Sequence, residues 1–216
     1  MTELDIPCPR CGNKQSFCFH ETINVREQPE LKAQVMDGSI FDMTCAVCGK
    51  VSRIGYPLLY HDPDSCLMVF MVDPGNREMA IEAMHKLITV PEVQMAVEDY
   101  MIRAVSQPPH LAEKILLRDE KLDDRTVELM KLSLTAHVKE RFGQEPDDIV
   151  LVKTDDLQFF VMRSPDGMPD LYRFYPKGYV DTAAKYQAFY PTDPEENLFI
   201  DDDWASAFLT PADMLQ

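Results

Sequence analysis

The sequence predicts an α+β protein: an N-terminal ribbon with an inserted helix and extended sheet, a helical middle, and a small acidic α+β C-terminal region. Three observations predict it. Two Cys-x-x-Cys-Gly motifs, Cys8-Pro9-Arg10-Cys11-Gly12 and Cys45-Ala46-Val47-Cys48-Gly49, bracket a stretch of strand and helix pattern. Apolar residues then recur at helical spacing between residues 77 and 142. Beyond Pro146 the pattern turns to short β-branched and aromatic runs, and acids outnumber bases 14 to 5.

Each element has a local cause. Residues 15–25 alternate, with Phe17, Phe19, Ile23 and Val25 on one side, and predict one half-buried strand. Pro29 to Met36 predicts a short helix with Pro29 in its first turn and Gly38 ending it. Ile40 to Thr44 enters the second cysteine motif as a strand, and Val51 to Ile54 leaves it. Leu67 to Val72 is a continuous apolar run, a buried strand stopped by Asp73-Pro74-Gly75. Residues 77–88 predict a helix with Met79, Ala80, Ala83, Met84 and Leu87 on one face. Tyr100 to Val105 fits a strand and a helix equally.

Pro108-Pro109 opens a helix that continues through Leu117. Asp123 or Asp124 caps the longest helix, which runs to Phe142 with Gly143 just past its end. Val127, Met130, Leu134, Val138 and Phe142 predict a single apolar stripe along it. Ile149 to Val152, Phe159 to Met162 and Leu171 to Tyr175 read as strands, the last two joined through Ser164-Pro165-Asp166-Gly167. Tyr179 to Phe189 reads as a short helix. The expected division is 1–146 and 147–216, with one continuous domain as the alternative.

The chemistry lies in the cysteines. There are six, at positions 8, 11, 18, 45, 48 and 66. A Cys-x-x-Cys turn places two sulfurs on one side of a tight loop whose amides point at the thiolates, and the glycine after it supplies a positive φ. Two such turns facing each other close a tetrahedron, so Cys8, Cys11, Cys45 and Cys48 are the expected ligands of one Zn2+ per chain in a zinc ribbon. Iron in a rubredoxin-like site uses the same spacing and is the less favoured alternative. Four protein ligands leave no position for water or substrate, which makes the site structural. A thioredoxin-like dithiol has no use for the second pair. A zinc-deaminase site needs a His-x-Glu upstream of Cys8, and none is there. Cys18 and Cys66 lie off the spacing and are expected as small buried hydrophobes.

These motifs carry a family resemblance. Together with Asn24-Val25 before Pro29-Glu30-Leu31-Lys32, Ser39-Ile40-Phe41 before Cys45, and Tyr56-Pro57-Leu58-Leu59-Tyr60-His61-Asp62, the chain resembles the CpXC domain family over roughly residues 4–132. That family is named for two cysteine–proline–any–cysteine motifs. The resemblance implies metal ligation by Cys8, Cys11, Cys45 and Cys48 and implies no activity. One departure is visible: Ala46 stands where the second motif has proline. Alanine adopts the same turn at a small entropic cost.

The charge is −16, from 21 bases and 37 acids, and more than half of it lies beyond residue 146. That balance opposes nucleic acids and anionic membranes and favours a basic protein partner for the C-terminal third. The metal turns are locally basic, however, with Arg10, Lys14, Lys50 and Arg53 and no acid between 6 and 14 or between 45 and 53. They form a candidate contact tip for a nucleic acid. No apolar run reaches the length of a membrane span, and Met1-Thr2-Glu3-Leu4-Asp5 has no apolar leader segment, so a cytoplasmic protein is expected. Catalytic patterns are incomplete. His20-Glu21-Thr22-Ile23-Asn24 lacks the second histidine of a zinc-protease helix, His61-Asp62 fits a turn as well as acid–base chemistry, and no nucleotide loop occurs. The overall expectation is a zinc-binding interaction module without catalytic activity.

Overall fold

The computed structural model describes residues 2–90, 95–143, 145–155, 157–163, 169–193 and 196–209. The architecture is mixed α+β, and the chain divides into two compact units, residues 1–115 and 116–216. The boundary expected at 146/147 falls inside the second unit. The expected turn at Ser164-Pro165-Asp166-Gly167 lies outside the described residues.

The first unit contains two cysteine-tipped hairpins and a larger sheet. β1 (Thr2–Pro7) pairs antiparallel with β2 (Lys14–Phe19), Pro7 opposite Lys14. After β3 (Thr22–Asn24), helix α1 (Glu30–Asp37) follows, with Pro29 at its N-cap and Gly38 ending it at φ 79°. A 3-10 turn, Ser39–Phe41, leads into β4 (Asp42–Thr44), which pairs antiparallel with β5 (Val51–Arg53).

Two expectations change here. The single strand over 15–25 is two strands in two sheets, broken at His20-Glu21. Ile40 and Phe41 form the 3-10 turn and not the strand, because they drop into the core, 7% and 0% exposed.

The larger sheet has the order β3-β6-β7-β8, with β6 (Leu58–Asp62), β7 (Leu67–Met71) and β8 (Met101–Val105). β6 and β7 form a hairpin, whereas β3 runs parallel to β6 and β8 parallel to β7. The segment from Met101 to Val105 is therefore a strand. Helix α2 (Arg77–Ile88) lies between β7 and β8 in sequence. Leu58, Tyr60, Leu67, Val69 and Met71 share one core with Leu31 and Val35 of α1, and with Leu111 and Ile115 of α3 (Pro108–Asp119). Phe17 of β2, Met43 of β4, Phe41 and Tyr56 belong to the same core, so both hairpins are rooted in it. Each of these side chains contributes roughly 1.5–3 kcal/mol by leaving water.

In the second unit α4 (Asp124–Phe142) begins at Asp123, whose carboxylate accepts from the Arg125 amide, and ends at Gly143 with φ 69°. Its burial is not the expected single stripe. Val127 and Val138 are buried, but Phe142 is 56% exposed, and Asp124, Thr126, Glu128 and Lys131 are buried on the first turns. Those polar groups have partners: Lys131 donates to Glu128 at 3.0 Å, and the hydroxyls of Thr126 and Tyr190 lie 2.9 Å apart.

β9 (Asp148–Thr154), β10 (Leu157–Arg163) and β11 (Pro169–Arg173) form an antiparallel meander. α5 (Pro176–Tyr186) follows. α6 (Asp202–Phe208) is an additional helix: the acidic run is its start, with the Asp201 carboxylate accepting from the Trp204 amide and two further acids in the first turn. Negative charge there complements the helix dipole. Trp204 and Phe208 stack at 5.2 Å, beside Tyr190 and Tyr186.

Candidate metal centre

Each cysteine pair sits at the tip of a hairpin, and the two tips are built alike. The Cys8 amide donates to the Asn13 carbonyl at 2.8 Å, and the Gly12 amide donates to the Cys8 carbonyl at 2.9 Å. In the second tip the Cys45 amide donates to Lys50 and the Gly49 amide to Cys45, both at 2.9 Å. Gly12 and Gly49 have φ 72° and 68°, the left-handed conformation that closes each turn and that a side chain disfavours.

The tips converge. The sulfurs of Cys8 and Cys48 are 3.7 Å apart and those of Cys11 and Cys45 are 3.6 Å apart, and all four lie within 4.8 Å of one another. A tetrahedron with metal–sulfur bonds of about 2.3 Å has edges of about 3.8 Å, so the spacing fits a four-thiolate ion. It excludes disulfides as they stand, since a sulfur–sulfur bond is about 2.05 Å. Iron and zinc fit the same tetrahedron. Cys8 and Cys45 are buried, Cys48 is half-buried and Cys11 is exposed. Cys18 and Cys66 are half-buried and outside the cluster, not buried as expected; Cys66 occupies the β6–β7 turn at φ 47°.

The environment splits the thiols. Amides of Cys11 and Arg10 lower the Cys8 thiol, and amides of Cys48 and Val47 bring Cys45 down to about 6. Cys11 receives the Asn13 amide, yet burial and the neighbouring sulfurs push it up to about 12; Cys48 is also raised, against the pull of the Lys50 amide. The first cysteine of each turn is thus held more acidic than the second.

A residue absent from the expected site ties the two tips together. Gln15, at the start of β2, donates through Nε2 to the Thr44 carbonyl at 2.8 Å and accepts at Oε1 from the Ala46 amide at 2.9 Å. Its amide therefore spans both sides of Cys45. The only sequence signal is a long amide side chain four residues after Cys11.

The expected contact tip is partly redrawn. Arg10, Lys14 and Lys50 are exposed at or beside the turns. Arg53 is at the opposite end of β5, bidentate on Asp42 at 2.9 and 3.1 Å. The catalytic near-misses separate as well. His20-Glu21 falls between two strands and not on a helix. His61 and Asp62 are neighbours in β6 and point to opposite faces. His61 lies 3.1 Å from the Tyr100 hydroxyl, while Asp62 is held by Lys32 and Ser65, each at 3.2 Å.

The architecture and the cysteine cluster define a class of mixed α+β protein with four thiols on two hairpins above a shared core, positioned so that they could hold a metal ion. The family described as CpXC protein matches residues 6–131, more than half of the chain, and the chain belongs to that family. No curated protein and no solved structure matches it.

Proposed function

We propose that the chain binds one Zn2+ through Cys8, Cys11, Cys45 and Cys48, and that it works as a cytoplasmic protein-interaction module without catalytic chemistry. The observation that carries this reading is the convergence of four sulfurs at near-tetrahedral spacing. With four protein ligands the ion has no open position, so its role is to lock the hairpin tips. No helix among the described residues is long and apolar enough to cross a membrane. The acidic excess beyond residue 146 favours a basic partner, which electrostatic steering would recruit.

The test is affinity capture from the native cell lysate with the wild-type chain and with Cys45→Ser. A partner retained by the first and lost by the second supports a metal-organised module. An enzymatic activity that co-purifies with the chain and disappears in Cys45→Ser contradicts the non-catalytic reading.

A second reading rests on Arg10, Lys14 and Lys50, exposed cations beside the metal turns in an otherwise acidic chain. They suit a phosphate-bearing strand. Retention on a DNA or RNA column at low salt, abolished when all three are substituted, is the result this reading expects.

A further inference from the structure

The two hairpins belong to separate sheets, β1-β2 and β4-β5, with no ladder between them. Beyond the core they share, the hairpins therefore have no backbone pairing to fix the spacing of their tips. The Gln15 side chain supplies hydrogen bonds of the kind a neighbouring strand would make, donating to the residue before Cys45 and accepting from the residue after it. Only one orientation of the amide satisfies both contacts, because the Thr44 carbonyl can only accept and the Ala46 N–H can only donate.

The acceptor contact also depends on a difference between the two turns. The first has Pro9 directly after its leading cysteine, and the second has Ala46. Proline carries no N–H, so the bond from residue 46 to Gln15 exists only because that position is not proline.

We infer that Gln15 and the Ala46 amide form a clamp that positions Cys45 against Cys11 before any metal arrives, making Gln15 a positioning residue of the metal centre. The inference rests on the metal reading of the four cysteines, but neither hydrogen bond of the clamp has the ion as a partner. Outer contacts that orient ligands typically change metal affinity 10- to 100-fold, and this is the scale expected.

The test uses the full chain in four forms: wild type, Gln15→Leu, Ala46→Pro and the double variant. Zn2+ affinity is measured by chelator competition. Each single change is expected to weaken binding by about 10- to 100-fold, and the double variant by no more than the worse single, because Gln15→Leu already removes the one contact that Ala46→Pro removes. Pro9 shows that this kind of turn accepts proline, and Gln15→Glu serves as a second probe of the same shape. It keeps the acceptor for Ala46, loses the donor to Thr44, and is expected to fall between wild type and Gln15→Leu.

Two readouts separate positioning from ligation and from general damage. Co2+-loaded Gln15→Leu should keep the tetrahedral thiolate absorption of the wild type, since all four sulfurs remain. In metal-free protein the Ala46 amide should exchange slowly in wild type and quickly in Gln15→Leu. Wild-type affinity in Gln15→Leu, or additive losses in the double variant, would overturn the clamp. If the wild type takes up no metal the metal reading fails, and exchange at the Ala46 amide still decides the clamp.

Discussion

Replacing Gly49 with alanine isolates what the left-handed turn contributes to the metal centre. Its φ is 68°, and a Cβ added there meets no atom within 4 Å. No steric term enters, and the cost is the backbone penalty alone, about 1–2 kcal/mol for an L-residue in that region. Alanine recovers a fraction of this by restricting the unfolded chain, so a net loss of about 1 kcal/mol is expected, roughly a fivefold shift in the local opening equilibrium. Gly12, at φ 72° with equally open surroundings, should behave in the same way.

Gly38 provides the contrast. Its φ is 79° and its added Cβ would lie 3.0 Å from the Arg53 guanidinium, so alanine there also disturbs the Arg53–Asp42 pair and should cost more. Asparagine tolerates the left-handed region, and Gly49→Asn should restore most of the loss. The assay is hydrogen exchange of the peptides spanning 45–54 in full-length protein, with Trp204, the single tryptophan, as a fluorescence control for the second unit. Wild-type exchange in Gly49→Ala, or equal damage from asparagine and alanine, would refute the argument that φ alone requires glycine.

Further outcomes follow from other sites. Serine at Cys8, Cys11, Cys45 or Cys48 should release the metal and loosen both tips, whereas Cys18→Ser and Cys66→Ser should retain it; metal analysis of the purified variants decides. Zinc affinity should fall as pH falls, because Cys11, held at about 12, and Cys48, also raised, must surrender protons to the ion. Competition titrations at two pH values show the sign. Asp62 is depressed: burial opposes its charge, but Lys32 and the Ser65 amide and hydroxyl outweigh it. Its contribution is therefore present above the ordinary carboxylate range and lost as pH falls through its lower folded value, and Asp62→Asn should flatten that acid limb in a pH-unfolding curve. Asp201→Ala removes the cap of α6 and should cost about 0.5–2 kcal/mol in the unfolding transition followed by Trp204.

What was legible in the chain is what local chemistry determines. The cysteine pairs, the glycines after them, the Gly38 and Gly143 helix ends, and the span of α2 all follow from residue type and spacing. β1 was not visible, because its alternation is only Leu4 and Ile6 beside the charged Glu3 and Asp5, Leu4 is 56% exposed, and the strand is held by backbone pairing to β2. The break at His20-Glu21 escaped for a different reason. Phe17 and Ile23 are both buried and share a parity, so periodicity carries no trace of the chain moving from one sheet to another.

The parallel pairings β3–β6 and β7–β8 join distant segments, which no local pattern encodes. Buried Asp124, Glu128 and Lys131 contradict a hydrophobic stripe; Lys131 and Glu128 pair with each other three residues apart on the helix, and that pairing, not hydropathy, makes their burial tolerable. Gln15 was invisible for a related reason. Its role depends on two backbone groups some thirty residues away, one of them an N–H that exists because residue 46 is alanine.

Four convergent cysteines at this spacing are expected to hold one ion. Elemental analysis of the full chain purified without added metal tests this most directly, read alongside Cys45→Ser prepared in the same way. The expected result is about one zinc per wild-type chain and almost none in the variant. One iron per chain with a red thiolate-to-iron absorption would keep the site and replace the metal. Wild-type protein free of metal, and unable to take up Zn2+ when it is offered under reducing conditions, would contradict the account.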